Sequence, residues 1–240
     1  MSQTAEFTCE RDSGLMRLTI NRPGSANAIN DVVARGLVEG LAEAMSDDAI
    51  SAVVLSGAGN RVFCAGRDLK NPLNLERAVL DRIRREESIA YNDALLSFDK
   101  PLVVAINGAA IGAGLMLALH ADQVVAADHA LLSLPEIDIG IATMLGHTLV
   151  AELAGQAVAN DLVLTGRRMT AAEARQRGLV HQVVQASALS DEADACARFL
   201  GAKPRLTFRA MKRWILDRRR LAVQAAFAAH AELDAAGGSA

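Results

Sequence analysis

Short runs of apolar residues along this chain alternate with longer segments in which apolar residues recur at helical spacing. Residues 7–10 and 15–21 flank the polar turn Asp12-Ser13-Gly14, and this arrangement predicts a β-hairpin. The continuous apolar runs at 52–55 and 102–106 are typical of strands that are covered on both faces of a sheet. Further strands are predicted at 124–126, 131–134 and 180–184.

Helices are predicted between these runs and after the last of them. Apolar residues recur at helical spacing at 27–45, 74–97, 143–153 and from a glycine-rich loop to about residue 120. The spacing Thr170-x-x-Glu173 predicts a capped helix start, and Gly178 its end. From 186 to about 233 the pattern is helical alone, and 237–240 is expected to be a frayed end. Alternation of strand and helix up to residue 184 implies crossover connections and largely parallel pairing.

Length and composition allow a sizeable core. The chain has 240 residues, 51% of them hydrophobic and 22% charged. We predict an α/β fold with a core at 1–185 and a helical region at 186–240. A net charge of −3 gives no reason to expect nucleic acid or a membrane surface as a partner. Three widely separated cysteines form neither a disulfide framework nor a metal pattern, and no secretory leader is visible, so we expect a cytoplasmic protein without a metal.

Two glycine-bearing segments each follow a predicted buried strand. They are Cys64-Ala65-Gly66-Arg67-Asp68-Leu69 and Gly108-Ala109-Ala110-Ile111-Gly112-Ala113-Gly114. Glycine lets the main chain turn sharply and bring bare N–H groups up to a ligand. Two N–H groups that converge on one oxygen form an oxyanion hole, and a helix start strengthens such a donor.

A single acidic residue stands out beside these loops. Glu136 follows an apolar strand and Pro135, so its carboxyl group is expected to be partly desolvated. Desolvation raises the pKa of a carboxyl group toward the range in which it can take up and release a proton. With the two glycine loops, Glu136 points to an enzyme that handles a carbonyl compound or a thioester.

Other chemistries fit the sequence less well. The glycine spacing at 108–114 resembles the nucleotide loop of short-chain dehydrogenases, but the only tyrosine, Tyr91, lacks a lysine four residues later. A Gly-x-Ser-x-Gly elbow and zinc-spaced histidines are absent from the sequence. Among the histidines only His147, close behind Glu136, is kept as a candidate. The basic residues between 203 and 220 are interpreted as a solvated helix face, with contact to a phosphate-bearing cofactor as the alternative.

Taken in order, several segments resemble the crotonase family of enoyl-CoA hydratases and isomerases. The resemblance covers roughly residues 6–215, and its order and spacing are more specific than any one segment. The matching segments lie at 18–23, 27–30, 63–70, 107–114, 121–122, 135–137, 164–166, 171–174 and 178–180.

The resemblance implies a spiral of ββα units followed by helices that form a homotrimer or a dimer of trimers. It implies an acyl-CoA thioester as substrate, with no cofactor beyond the coenzyme A of that substrate, and a role in fatty acid metabolism. The implied catalytic groups are Glu136 and the backbone N–H groups of Arg67 and Ala113, which would form the oxyanion hole. The implied substrate-binding residues are Ala26, Ala28, Ile29, Ala65, Asp68, Leu69, Gly112 and Pro135. Residues 71–98 are expected to set the length and shape of the acyl group.

One departure from the family pattern carries the functional prediction. Hydratases of the family have two glutamates, and the position of the first is Met116 here. A thioether can neither hold nor deprotonate water. One carboxylate is enough to move a proton from the α-carbon to the γ-carbon, so we favour a Δ3,Δ2-enoyl-CoA isomerase with Glu136 as its only acid.

Two alternatives stay open. A hydratase could use Asp138 or His147 in place of the missing glutamate, and Asp138 would share a side with Glu136 if the strand continued. Residues 136–142 also resemble the corresponding segment of dienoyl-CoA isomerases, but the second acid of those enzymes would fall at Met144 here. Finally, the chain could be a catalytically silent relative that binds acyl-CoA or a protein.

Overall fold

The computed structural model describes residues 5–70 and 74–235, and the expected frayed end at 237–240 lies outside this part of the chain. The larger sheet consists of β1 (Phe7–Asp12), β2 (Leu15–Ile20), β3 (Ala52–Gly57), β5 (Leu102–Ile106), β7 (Gln123–Ala127) and β10 (Gln182–Val184). Their spatial order is β1-β2-β3-β5-β7-β10. The predicted hairpin β1–β2 is antiparallel, and the other neighbouring pairs are parallel. The apolar runs lie at the centre of this sheet, as the pattern predicts.

A second, smaller sheet holds the ends of the two glycine-bearing segments. Its strands are β4 (Val62–Cys64), β6 (Ala109–Ile111), β8 (Leu131–Ser133) and β9 (Met169–Thr170), in the order β4-β6-β8-β9. The first three pair in parallel, and β9 is antiparallel to β8. Only β8 was predicted, because β4 and β6 border or lie within the two glycine-bearing segments, which were interpreted as loops, and β9 has only two residues.

The described helices follow the strands in a repeating order. They are α1 (Asp31–Ser46), α2 (Arg77–Ser97), α3 (Ala113–Ala118), α4 (Met144–Ala154), α5 (Gln156–Thr165), α6 (Ala171–Gln176), α7 (Leu189–Gly201) and α8 (Arg205–Ala235). In the units β3-β4-α2, β5-β6-α3 and β7-β8-α4, the first strand enters the larger sheet, the second enters the smaller sheet and a helix follows. This repeat is the predicted spiral of ββα units.

Helix α1 begins four residues later than its apolar pattern predicts. Ala26 and Asn27 have left-handed φ angles of 51° and 52°, which a helix cannot contain. Asn30 then caps the helix, because its side-chain oxygen accepts a hydrogen bond from the Val33 N–H at 3.0 Å. The predicted cap of α6 is also present, with Thr170 accepting from the Glu173 N–H at 3.2 Å.

The helical region after residue 185 contacts the core at two places. Helix α7 places Leu189, Ala193 and Ala197 on one face of the larger sheet, while α8 packs on α4 and α2. The break between α7 and α8 coincides with Pro204, which disfavours helical geometry in the residue before it. Helix α5, absent from the predictions, is separated from α4 by Gly155, whose φ angle is +87°. The division at residue 185 stays a prediction.

Most of the lysine and arginine residues of α8 make ion pairs within the protein, so their interpretation as a solvated helix face is wrong for several of them. Lys212 is 3% exposed and donates to Asp122 at 2.7 Å. Arg219 is 6% exposed and pairs with Glu152. Both Arg209 and Arg213 donate to the buried carboxylate of Asp99. These cations dock α8 on the core rather than lying free for a phosphate group. Among the described helices, none is both long and apolar enough to cross a membrane.

Candidate active site

The two glycine-bearing segments meet in the structure. Gly66 has a φ angle of +91°, and a Cβ atom built on it would lie 3.0 Å from the Ile111 oxygen and 3.4 Å from the Ala113 nitrogen. Gly114 packs still more tightly, since a Cβ atom there would lie 2.2 Å from the Cys64 oxygen. Side chains at these two glycines would separate the loops. The glycines are therefore what brings residue 67 near the start of α3.

A third segment, residues 26–29, holds the first loop in place. The Ile29 N–H donates to the Gly66 oxygen at 2.8 Å, and the Asp68 N–H donates to the Ile29 oxygen at 2.9 Å. In such a parallel bridge the residue between these two partners, Arg67, turns its own N–H away from Ile29. Within the described residues, the N–H groups of Arg67 and Ala113 make no hydrogen bond. Both donors are thus left without an acceptor in the described part of the protein.

An ion pair that the sequence analysis missed joins the same two segments. Arg22 donates through Nη2 to Asp68 Oδ2 at 2.9 Å and through Nη1 to the Ala28 oxygen at 2.6 Å. The side chains of Arg22 and Asp68 are only 10% and 13% exposed. Burial raises the pKa of Asp68, but hydrogen bonds from the Lys70 N–H and from Arg22 outweigh it, so the pKa is lowered. The Asp68 carboxylate therefore fastens the loop.

The predicted substrate-binding residues differ in what they expose. Ile29 is completely buried and Ala28 nearly so, and the backbone oxygens of both already accept hydrogen bonds within the protein, so neither residue offers much surface to a ligand. Leu69 is 64% exposed at the end of the loop. Ala26 and Ala65 are half-buried and are joined by a hydrogen bond from the Ala65 N–H to the Ala26 oxygen at 3.1 Å.

Glu136 lies where the two loops meet. The strand β8 ends at Ser133, and Glu136 stands in a short 3-10 helix, Pro135–Ile139. Gly112 has a φ angle of +55°, and a Cβ atom on it would lie 2.8 Å from Glu136 Oε1. The carboxyl group thus rests on the backbone immediately before Ala113. A side chain at residue 112 would displace it.

The carboxyl group of Glu136 is unusual in its surroundings. Its Oε2 atom is buried and has no hydrogen-bond partner among the described residues. Desolvation raises the pKa of Glu136 to about 7, and a backbone hydrogen bond of its own only partly opposes the shift. A carboxyl group with this pKa can both take up and release a proton near neutral pH.

Met116 lies one helical turn beyond Gly112, and its N–H donates to the Gly112 oxygen at 3.0 Å. Its side chain is partly buried and packs on the main apolar core. The position at which the resemblance places a second acid therefore presents a thioether next to apolar groups.

The two substitutes that the sequence offered for this acid point elsewhere. Because the chain turns into a 3-10 helix after Leu134, the expected placement of Asp138 beside Glu136 on a continued strand is wrong. A Cβ atom on Gly166 would lie 2.8 Å from Asp138 Oδ2, so this exposed carboxylate faces the end of α5. His147 Nε2 lies 3.0 Å from Asn160 Oδ1, which is also on α5.

In the described part of the chain, no group of three or more His, Cys, Asp or Glu side chains is arranged to hold a metal ion. Cys64, next to the loop, is buried, and desolvation raises the pKa of its thiol to about 12. A thiol with this pKa stays protonated at neutral pH, so Cys64 is not a nucleophile here.

Comparisons with known proteins identify the family of this chain. A family model described as "Enoyl-CoA hydratase/isomerase" matches residues 10–236. The 2,3-dehydroadipyl-CoA hydratase of Escherichia coli (strain K12) is 34% identical over 230 residues, covering 95% of this chain and 89% of that protein. The 1,2-epoxyphenylacetyl-CoA isomerase of the same organism is 35% identical, covering 80% of this chain and 75% of that protein.

Solved structures show the same architecture. The crystal structure of an enoyl-CoA hydratase/isomerase from Pseudoalteromonas atlantica T6c superposes with a TM-score of 0.84 at 32% identity. The match covers 94% of this chain and 88% of that chain. The spiral of ββα units and the helical region that follows it are therefore shared with this protein.

Proposed function

Because the chain belongs to the enoyl-CoA hydratase/isomerase family, we propose that it is a Δ3,Δ2-enoyl-CoA isomerase with Glu136 as its only catalytic acid. Membership makes it an acyl-CoA enzyme of the hydratase/isomerase kind. The finer proposal is carried by one observation. The unpartnered carboxyl group of Glu136 has an apolar thioether, Met116, where hydratases of the family have a second glutamate.

In this mechanism the N–H groups of Arg67 and Ala113 bind the thioester oxygen. Glu136 removes a proton from the α-carbon, and the electrons of that C–H bond move toward the thioester oxygen as a dienolate. The two N–H donors stabilise the negative charge as it develops, and such a donor is typically worth about 10²–10³ in rate. Glu136 then returns the proton to the γ-carbon, which shifts the double bond into conjugation. The proton never has to leave the carboxyl group for water.

The pKa of Glu136 suits this shuttle. With a pKa of about 7, the carboxylate is a stronger base than an exposed glutamate and becomes a usable acid after it is protonated. The desolvated pocket that raises the pKa also keeps water away from the dienolate.

Hydration is the second candidate, favoured by the name of the 34% identical hydratase. Addition of water needs a group that positions and deprotonates water in addition to the one that protonates the α-carbon. Asp138 and His147 are engaged at α5, so this candidate lacks its second group among the residues that the sequence suggested. A silent acyl-CoA-binding relative predicts binding without turnover.

The three candidates separate in one assay. We expect the protein to convert trans-3-hexenoyl-CoA to the conjugated 2-enoyl thioester, followed by ultraviolet absorbance, and to hydrate crotonyl-CoA poorly. Replacing Glu136→Gln removes the proton carrier and should lower isomerisation by about 10²–10⁴-fold. Replacing Met116→Glu should raise hydration relative to isomerisation. Full turnover in Glu136→Gln, or hydration faster than isomerisation in the unaltered protein, would refute the proposal.

The proposal includes a homotrimer, the assembly that the family resemblance implies. Helix α8 supports it with several exposed apolar side chains, namely Leu206, Met211, Trp214, Ile215 and Leu221. Exposed groups of this kind mark an interaction surface when they are clustered. Sedimentation equilibrium should give three times the chain mass or a multiple of it, and a monomer at micromolar concentration would contradict this part. Three further expectations stay predictions: that the protein has no cofactor, that it has no nucleic-acid partner and that it is cytoplasmic.

A further inference from the structure

The side chain of Arg67 crosses from the first glycine loop to helix α2. Its Nη2 atom donates to Glu87 Oε2 at 2.5 Å, and the two side chains are 16% and 21% exposed. Burial raises the pKa of Tyr91, which is on the same helix, and the positive charge of Arg67 partly opposes this rise. The guanidinium group therefore ends at α2, where it pairs with Glu87.

Two nitrogen atoms of this guanidinium group are left without partners. Arg67 Nε and Nη1 are both buried, and neither makes a hydrogen bond among the described residues. Arginine stays charged in proteins and can only donate, so these N–H groups require an acceptor. Buried polar groups are nearly always hydrogen-bonded, and an exception calls for a ligand or an ordered water molecule. The neighbouring Arg22 donates through both Nη1 and Nη2. Its buried Nε makes no hydrogen bond either, but it lies 3.2 Å from Glu6 Oε1 in an ion pair.

The position of the guanidinium group indicates which ligand would supply the acceptor. The Arg67 N–H is one of the two proposed oxyanion donors, so its side chain starts beside the thioester. The side chain ends at α2, which belongs to the segment that the family resemblance places along the acyl group. A plain hydrocarbon chain on this path would leave Nε and Nη1 unpaired and would place apolar groups against a charge.

We propose that the acyl group of the substrate carries an oxygen acceptor, as a carboxylate or a hydroxyl group, which binds Arg67 Nε or Nη1. This inference rests on the proposed acyl-CoA function and names the class of acyl group. Arg67 is then the residue that determines acyl specificity, through its side chain, in addition to its backbone role. The Glu87 carboxylate holds the guanidinium group in place and partly neutralises it.

Binding of saturated thioesters tests the inference without catalysis. Hexanoyl-CoA, 6-hydroxyhexanoyl-CoA and adipyl-CoA have chains of equal length that end in a methyl, a hydroxyl and a carboxylate group. Isothermal titration should show adipyl-CoA binding about tenfold more tightly than hexanoyl-CoA, the effect of one hydrogen bond to a charged group. The hydroxy compound distinguishes a subsite for any oxygen acceptor from one that requires an anion. Equal binding of all three would overturn the inference.

Variants test whether the Arg67 side chain causes the preference for adipyl-CoA. Arg67→Met keeps the backbone N–H and should abolish the preference for adipyl-CoA, whereas Arg82→Met removes an exposed charge from the same helix and should retain it. Glu87→Gln leaves the guanidinium group with a net charge and should tighten adipyl-CoA binding while hexanoyl-CoA binding stays constant. If Arg67→Met fails to fold, Glu87→Gln decides the question, and unchanged adipyl-CoA binding in it would overturn the inference.

Turnover of trans-3-hexenoyl-CoA, measured separately, distinguishes the two proposals. Turnover with equal binding of the three thioesters removes the specificity inference alone. Discrimination among them without turnover removes the isomerase proposal alone. Failure to bind any thioester removes both.

Discussion

The site around Gly112 and the junction between α8 and the core treat buried charge in opposite ways. At the junction, Asp99, Lys212 and Arg219 each have a partner of opposite charge. At the site, Glu136 Oε2 has no partner, and Arg67, although paired with Glu87, leaves Nε and Nη1 without an acceptor. A partnered charge fixes two elements relative to each other, whereas an unpartnered one destabilises the protein until a ligand arrives. The first arrangement serves assembly of the fold, and the second is typical of a functional site.

Breaking one ion pair of the junction should give the largest effect on stability. The Asp122→Ala variant leaves the Lys212 ammonium group, which is 3% exposed, without its counter-ion. We expect unfolding to become easier by about 3–5 kcal/mol, measured by urea denaturation. The double variant Asp122→Ala/Lys212→Met should recover much of this loss, because no unpaired charge remains buried. A double variant as unstable as the single one would contradict the role assigned to the pair.

Unlike the paired charges of the junction, the carboxyl group of Glu136 should make the protein less stable as the pH rises. Its pKa is raised from 4.5 to about 7 in the folded protein, so folding favours the protonated form. The stability that this carboxyl group contributes is fully present below pH 4.5 and is lost as the pH rises through about 7. The loss amounts to about 3 kcal/mol between these limits.

The matched control for this pH effect is Glu136→Gln, which cannot titrate at this position. Its free energy of unfolding, compared with that of the unaltered protein between pH 4.5 and pH 8, should show a difference that grows with pH in favour of the variant. A difference that is independent of pH would show that Glu136 is not desolvated.

The Arg22–Asp68 pair lies between the two extremes, because it is partnered and yet holds the site. Asp68→Asn keeps the shape of the side chain but loses the charge opposite Arg22. We expect kcat for isomerisation to fall about tenfold, or about 1.4 kcal/mol of barrier, because the Arg67 N–H is held less firmly. The KM for the thioester should change less than kcat. A loss confined to thermal stability, with kcat unchanged, would restrict the pair to a structural role.

The smallest effect is expected at Asp138. Its exposed carboxylate faces Gly166 rather than Glu136. Asp138→Asn should change stability by less than about 0.5 kcal/mol, as surface substitutions usually do, and should leave isomerisation within twofold. A large loss of turnover would revive Asp138 as the second catalytic group and would favour hydration.

Much of this site could be read from local patterns. Gly66, Gly112 and Glu136 stood out because each follows a buried run, and the structure brings the three together. The continuous run 102–106 likewise became the buried strand β5. Signals of this kind come from one stretch of chain and its own backbone requirements. They can therefore be recognised without knowing which other elements pack against that stretch.

The predictions that failed share one cause, which is that each depended on parts of the chain distant in the sequence. The strands β4 and β6 border or lie within segments that were interpreted as loops, β9 has only two residues, and all three exist because neighbouring strands pair with them. The side of Asp138 depended on whether the chain left β8 as a strand or as a 3-10 helix. The basic residues of α8 gave the same sequence signal whether solvated or buried, because their acidic partners lie about 70–110 residues away.

By itself, the amino-acid sequence indicated the family, the alternation of strands and helices, the glycines that let two loops meet, and a methionine, Met116, at the position where the family resemblance places a second acid. Only the tertiary structure decided which polar atoms are paired. It joined Arg22 to Asp68 and turned Asp138 and His147 away, and it left Glu136 and Arg67 with unpaired buried atoms. The physical reason is that a backbone preference is local, whereas desolvation and pairing depend on every element that packs around a group.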